Sequence, residues 1–163
     1  MGMYYKTGNL LEAPVDYICH QVNCQGRMGS GIAKQIREKW SEVYESYMHY
    51  SNYYLERGGP KSMLGSCQYI TTANVTVINM FAQEGYGYDG KRYTSYDAFW
   101  ACLGEITKVV PKGSTIGFPW KIGCGLGGAN WEVIATMIEE VLAKDYEVYI
   151  YILGEQNDEN ERL

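Results

Sequence analysis

The stretch Tyr17-Ile18-Cys19-His20-Gln21-Val22-Asn23-Cys24-Gln25-Gly26-Arg27-Met28-Gly29-Ser30-Gly31-Ile32 decides how this chain folds. Tyr17 to Val22 is mostly apolar without strict alternation, the pattern of a strand buried on both faces. It runs into a loop, Asn23 to Gly31, that holds Gly26, Gly29 and Gly31. From Ile32 to Trp40, Ile32, Ile36 and Trp40 recur at i, i+4 and i+8 and mark one face of a helix. Strand, glycine loop and helix start therefore follow one another. In open α/β sheets, ligands bind at such carboxyl ends of strands.

Working outward, Met3 to Lys6 reads as a short strand turned by Gly8-Asn9. Ser41 is positioned to N-cap a second helix reaching about Glu56, which Gly58-Gly59-Pro60 ends. Ser66 to Thr71 and Val75 to Met80 read as adjacent strands joined by Thr72-Ala73-Asn74, and Gln83 to Arg92 as a flexible loop with Gly85, Gly87 and Gly90. Ser95 caps a helix from Tyr96 to Val109, and Thr115 to Phe118 is a short strand before a second glycine-rich loop, Pro119 to Gly128. Asn130 caps a last helix through Leu142 with Val133, Met137, Ile138 and Val141 inward, and Tyr146 to Leu153 is the closing strand. Alternating strands and helices predict a three-layer α/β/α domain with a mixed sheet of about six strands.

The 163 residues suit a single domain, assigned to residues 1–154, with a polar acidic tail over 155–163 expected to fray. Apolar residues at 46% and charged residues at 20% supply one ordinary core. No apolar run is long enough to span a membrane and no secretory leader is visible, so a cytoplasmic protein without a membrane partner is expected. Of the net charge of −5, the tail carries −3. With no basic run elsewhere, a long nucleic acid is a poor direct partner. A small anion is not excluded, because backbone N–H groups bind phosphate without basic side chains. Five cysteines (Cys19, Cys24, Cys67, Cys102, Cys124) form no C-x-x-C pair and read as reduced thiols. Cys19, His20 and Cys24 have only His49 as a further histidine, so no metal and no cofactor is expected. With sixteen tyrosines among the aromatics, several rings must be partly exposed, and one or two of them are candidates to stack on a base.

Two glycine loops, Gly26 to Gly31 and Gly123 to Gly128, each precede a helix and suggest a diphosphate held between them; alone, either is also a tight βα connection. Known phosphate sites fit poorly. There is no Gly-Lys-Ser/Thr, which excludes a P-loop. The G-x-G-x-x-G at Gly123 to Gly128 lies too late for a dinucleotide domain. A cysteine phosphatase built on Cys124 would want an arginine where Asn130 stands.

On Gly8-Asn9-Leu10-Leu11, His20-x-x-Asn23, Gly29-Ser30-Gly31-Ile32-Ala33 and Gly123-Cys124-Gly125-Leu126 followed by Trp131, the chain resembles a macrodomain, the ADP-ribose-binding α/β/α module, over nearly its whole length. The resemblance implies a site. Asn9, beside Leu10, matches an acidic position that receives the adenine amino group. Asn23 matches the asparagine facing the distal ribose. Gly29, Ser30, Gly31 and Ile32 match the loop beside that ribose and the diphosphate, and Gly123, Cys124, Gly125, Leu126 and Gly127 match the loop over the phosphates. Similar hydrolases of ADP-ribosyl-glutamate carry an aspartate where this chain has Gly127 and a lysine near Phe81-Ala82-Gln83-Glu84; neither group is present. His20-x-x-Asn23, Gly29-Ser30-Gly31 and Gly85-Tyr86-Gly87 are more similar to members that remove phosphate from ADP-ribose 1''-phosphate. That implies a phosphatase in which Asn23 positions ribose or water and His20 acts as general acid or base, unless His20 is a buried strand histidine. A non-enzymatic reader, or a hydrolase of another ADP-ribosyl linkage, stays open, as does an ADP-ribosylated macromolecule as partner.

Overall fold

The computed structural model describes residues 1–154; the acidic tail at 155–163 lies outside the described residues. Six strands, β1 (Gly2–Thr7), β2 (Tyr17–Asn23), β3 (Cys67–Thr71), β4 (Thr76–Gln83), β5 (Thr115–Pro119) and β6 (Glu147–Ile152), form one sheet in the order β1-β6-β5-β2-β4-β3. All neighbours pair in parallel except β3, which runs antiparallel to β4 at one edge. The mixed six-stranded α/β/α reading is therefore the observed fold.

Four helices cover the sheet: α1 (Gly31–Lys39), α2 (Ser41–Arg57), α3 (Tyr96–Val109) and α4 (Trp131–Leu142). Side chains of a strand alternate between faces. Cys19, Ile78, Met80, Ile116, Phe118, Val148 and Ile150 pack with Phe99, Leu103 and Ile106 of α3 and Ile134, Ile138 and Leu142 of α4. Ile18, Val22, Val77 and Phe81 face the other way, against Ile36 of α1 and Val43 and Tyr47 of α2. Burial on both faces explains why β2 and β4 read as nearly continuous apolar runs.

Three local expectations change. Ser41 is the first residue of α2 rather than its cap, and Trp40 occupies the N-cap without a side-chain capping bond. Along α4 the stripe is Ile134, Ile138 and Leu142, which leaves Val133 exposed. β4 runs on to Gln83 instead of stopping near Met80, because Phe81 and Ala82 are buried on opposite faces and sustain the strand. As expected, Ser95 Oγ accepts the Ala98 N–H at 3.1 Å, and Asn130 Oδ1 accepts those of Glu132 and Val133. No helix among the described residues is long and apolar enough to cross a membrane.

Candidate functional site

The parallel strands point their carboxyl ends the same way, and a cleft of about 500 Å³ opens there. Strand order fixes its layout. Asn9 and Leu10 follow β1, and Tyr151 and Leu153 stand at the end of β6. Pro119 ends β5 and Trp120 to Gly127, apart from Cys124, follow it; Asn23 ends β2 and Gly26 to Ala33 follow it; Gln83 ends β4 and Tyr86 and Tyr88 follow it. With neighbouring strands about 4.8 Å apart, β6 to β4 spans roughly 14 Å, and the glycine loops sit in the middle. The site is an elongated trough with two ends and a glycine-walled waist.

The first glycine loop is fastened from beneath. Asn23 Oδ1 accepts the N–H groups of Gln25 (2.9 Å) and Arg27 (3.3 Å), and Asn23 Nδ2 donates to the Arg27 carbonyl at 2.9 Å. The Tyr47 hydroxyl, buried under the loop, accepts the Arg27 N–H at 3.1 Å. It lies 2.7 Å from the Asn23 carbonyl and 2.9 Å from Asn23 Oδ1, donating its proton to one of them. Burial pushes this phenol's pKa upward, so it stays a neutral donor. Gly26 (φ +74°) and Gly31 (φ +59°) adopt left-handed backbone that a side chain would strain. The loop delivers the chain to the start of α1, where Ser30 is the N-cap but supplies no side-chain bond. The first N–H groups of α1, at the cleft, are thus open to a ligand.

The second loop is built differently. The Cys124 N–H returns to the Lys121 carbonyl at 2.9 Å and the Ala129 N–H to the Gly123 carbonyl at 2.9 Å, which curls the backbone around Gly123 to Gly127. Leu126, half exposed at its tip, makes no hydrogen bond among the described residues. The helix that follows does not contribute its N-terminus, because Asn130 already caps α4. Two glycine loops but a single open helix start therefore face the cleft.

Eleven residues singled out from the sequence line this trough together: Asn9, Leu10, Asn23, Gly29, Ser30, Gly31, Ile32, Gly123, Gly125, Leu126 and Gly127. Two do not. Cys124 packs against the core beneath α3 and α4 instead, and burial pushes its thiol up to about 11, leaving it protonated and unreactive. His20 is fully buried in β2, on the α1 and α2 side of the sheet. Its Nε2 bonds Asn79 Oδ1, and Asn79 Nδ2 donates to Gln68 Oε1 at 3.0 Å. Burial lowers its pKa to about 4, against the smaller opposing effect of the Asn79 bond. The acid/base assignment of His20 is corrected accordingly: it is a core residue. Asn9 is also partly committed, since its Oδ1 accepts the Leu11 N–H at 3.0 Å.

Sequence reasoning missed Gln21, Gln83, Tyr44, Tyr88, Lys121 and Tyr151, all of which line the trough. The wall contains Arg27, Arg37 and Lys121 but no carboxylate and no histidine among the described residues. Lys121 is a non-glycine residue with left-handed backbone (φ 61°), its Nζ 4.6 Å from the Trp120 ring centre. The Arg37 guanidinium lies 3.8 Å from the Tyr44 ring centre. A locally cationic, N–H-rich cleft in an acidic protein is suited to a small anion. No group of three His, Cys, Asp or Glu side chains among the described residues is placed to hold a metal ion.

No family model matches the chain. A DNA ADP-ribosyl glycohydrolase of Thermus aquaticus is 41% identical over 44 residues, which is 27% of this chain and only 12% of that relative's length. The human ADP-ribose glycohydrolase OARD1 is 27% identical over 91% of this chain and 90% of its own. Among solved structures, a protein of unknown function from Bacteroides thetaiotaomicron is 28% identical, with a TM-score of 0.79 over 93% of this chain and 98% of that one. The macrodomain of Thermus aquaticus DarG superposes with a TM-score of 0.72 at 24% identity, over 92% of this chain and 97% of its own. Thermosipho africanus DarTG, solved in complex with ADP-ribose, gives 0.72 at 17% identity, over 93% of this chain and 42% of its own. The chain has the macrodomain fold.

Proposed function

We propose that this macrodomain binds ADP-ribose, free or as the terminal group of a larger conjugate. The observation that carries the reading is the trough itself: two glycine loops and the open start of α1 at its waist, with room for a nucleoside on one side and a ribose on the other. In this reading adenosine lies toward Asn9, Leu10, Tyr151 and Leu153, and the diphosphate lies between Gly29–Ile32 and Gly123–Gly127. The distal ribose lies toward Asn23 and Gln83. The glycohydrolase names of the relatives and the ADP-ribose complex of a structural neighbour support the same ligand.

For activity, we retain hydrolysis at the distal ribose, with ADP-ribose 1''-phosphate as the first substrate and another ADP-ribosyl linkage as the second. In the first, water attacks phosphorus in line and releases inorganic phosphate. Loop N–H groups and the cleft cations meet the developing charge, and Asn23, locked by its loop bonds, orients the ribose. With no imidazole or carboxylate in the wall among the described residues, these residues forgo the roughly 10²- to 10⁴-fold that general acid–base catalysis contributes, so turnover should be slow. A reader without turnover is the competing reading, and the same bare wall favours it.

Calorimetry with ADP-ribose, AMP and NAD tests binding, and no heat at millimolar ADP-ribose would overturn it. Phosphate release from ADP-ribose 1''-phosphate, and ADP-ribose release from ADP-ribosylated oligonucleotide, then distinguish phosphatase, glycohydrolase and reader.

A further inference from the structure

A half-buried polar cluster stands between the second glycine loop and the end of β4. Gln21 Nε2 donates to Gln83 Oε1 at 2.7 Å and to Thr94 Oγ1 at 2.8 Å. Thr94, 2% exposed, passes its own proton to the Gly123 carbonyl at 2.8 Å. The backbone N–H groups of Tyr93 and Thr94 both donate to the Gly127 carbonyl, at 2.8 and 3.0 Å. One residue therefore grips the glycine loop at both of its ends. Gln83 is held in turn, its Nε2 donating to the Gly85 carbonyl at 2.8 Å.

The direction of every bond in this chain is fixed. The Gly123 carbonyl can only accept, so the Thr94 hydroxyl must donate there and accept from Gln21, which must present its NH₂. That leaves Gln21 Oε1 buried with no partner, 2.8 Å from where a side chain on Gly123 would begin. An unpaired buried acceptor destabilises, and an apolar trio of similar volume would avoid it, so stability alone does not account for the cluster.

We infer that Gln21 and Thr94 are positioning residues for ligand binding: Gln21 orients the Thr94 hydroxyl, and Thr94 holds Gly123 to Gly127 in the shape that presents its N–H groups to a phosphate. The inference rests on the ADP-ribose reading of the cleft. Neither residue touches the ligand through this role; each acts through the loop.

The test compares Thr94→Val, Thr94→Ser and Gln21→Met by calorimetry with ADP-ribose, alongside melting and amide hydrogen exchange of the unliganded proteins. Thr94→Val and Gln21→Met should each weaken ADP-ribose by roughly tenfold, the value of one lost hydrogen bond. The double variant should fall well short of the hundredfold expected of independent sites. Thr94→Ser, which keeps the hydroxyl, should bind within about twofold of the wild type if that hydroxyl contributes a single bond of this size. Lowered melting temperatures with unchanged affinity in the folded protein would reduce the pair to a structural role and overturn the inference. If Thr94→Val does not fold, Gln21→Met and Thr94→Ser decide it. If the wild type does not bind ADP-ribose, the functional reading fails. The ligand-binding role of the pair falls with it, and exchange at residues 123–128 decides only whether Gln21 holds the loop, faster exchange in Gln21→Met supporting that part and unchanged exchange refuting it.

Discussion

Gly125 and Gly127, two residues apart in one loop but exposed and buried respectively, should respond oppositely to the same added methyl group. A Cβ on Gly127 would stand 2.5 Å from the Gly123 carbonyl oxygen and 2.5 Å from Thr94 Oγ1, and neither atom is a flexible side-chain end. A Cβ on Gly125 meets nothing within 4 Å, and its backbone is not left-handed. Overpacking of the Gly127 kind costs about 1–3 kcal/mol. At the roughly 2–4 °C per kcal/mol of a chain this size, Gly127→Ala should melt about 2–12 °C below the wild type. Gly125→Ala should stay within about 0.5 kcal/mol, a shift of some 2 °C at most. Thermal unfolding followed by circular dichroism, with the three proteins measured side by side, reads this directly. Equal melting of the two variants would refute the close backbone approach at Gly127. The same close approach explains why an aspartate, as the glutamate hydrolases carry here, does not fit this loop as it stands.

Three further outcomes are expected. His20 titrates near 4 in the folded chain and near 6.5 when unfolded, so its stabilisation is complete above pH 6.5 and is lost as pH falls toward 4. About 2 kcal/mol should disappear between pH 7 and pH 5 in urea melts, and a His20→Gln variant with the same slope would contradict the assignment. Gly31→Glu should remain folded, because no atom lies within 4 Å of the new Cβ and the left-handed φ of +59° costs about 1–2 kcal/mol. Its carboxylate should compete for the open N–H groups of α1 and abolish ADP-ribose heat in calorimetry; wild-type affinity would remove the first loop from the site. Tyr47→Phe should cost about 1–3 kcal/mol by stranding the buried partners of its hydroxyl and should speed amide exchange over residues 23–28. Unchanged exchange would show that the loop holds itself.

Element order is legible because glycine, proline and capping residues punctuate the chain: Ser95 and Asn130 act on the nearest N–H groups, and such local chemistry is written locally. Side-chain direction within β2 is not. A strand buried on both faces lacks the alternation that would say whether His20 or Gln21 lines the cleft, and the two sit on opposite faces. A break in register between Val22 and Asn23, where the pairing with β4 skips a residue, adds to the ambiguity. Cys124 shows the same limit inside a loop, where its chain neighbours Gly123 and Gly125 face the cleft and its thiol does not. The Gln21, Gln83 and Thr94 cluster joins residues 62 and 73 apart, for which no window of sequence carries a signal.

The row of carboxamides ending at His20 also bears on how the edge hairpin finds its alignment. His20, Asn79 and Gln68 are direct cross-strand partners on β2, β4 and β3, and Gln68 continues to the Ser46 carbonyl of α2 at 3.0 Å. A slip of β3 by one residue would send Gln68 to the opposite face and leave Asn79 Nδ2 unpaired in the core. That error costs about 1–3 kcal/mol per stranded group, in addition to the apolar packing that the slip would undo. Edge strands of a few residues are the ones most easily misaligned. Here the polar row works as a key that turns only in one register, and it does so in the part of the sheet farthest from β1.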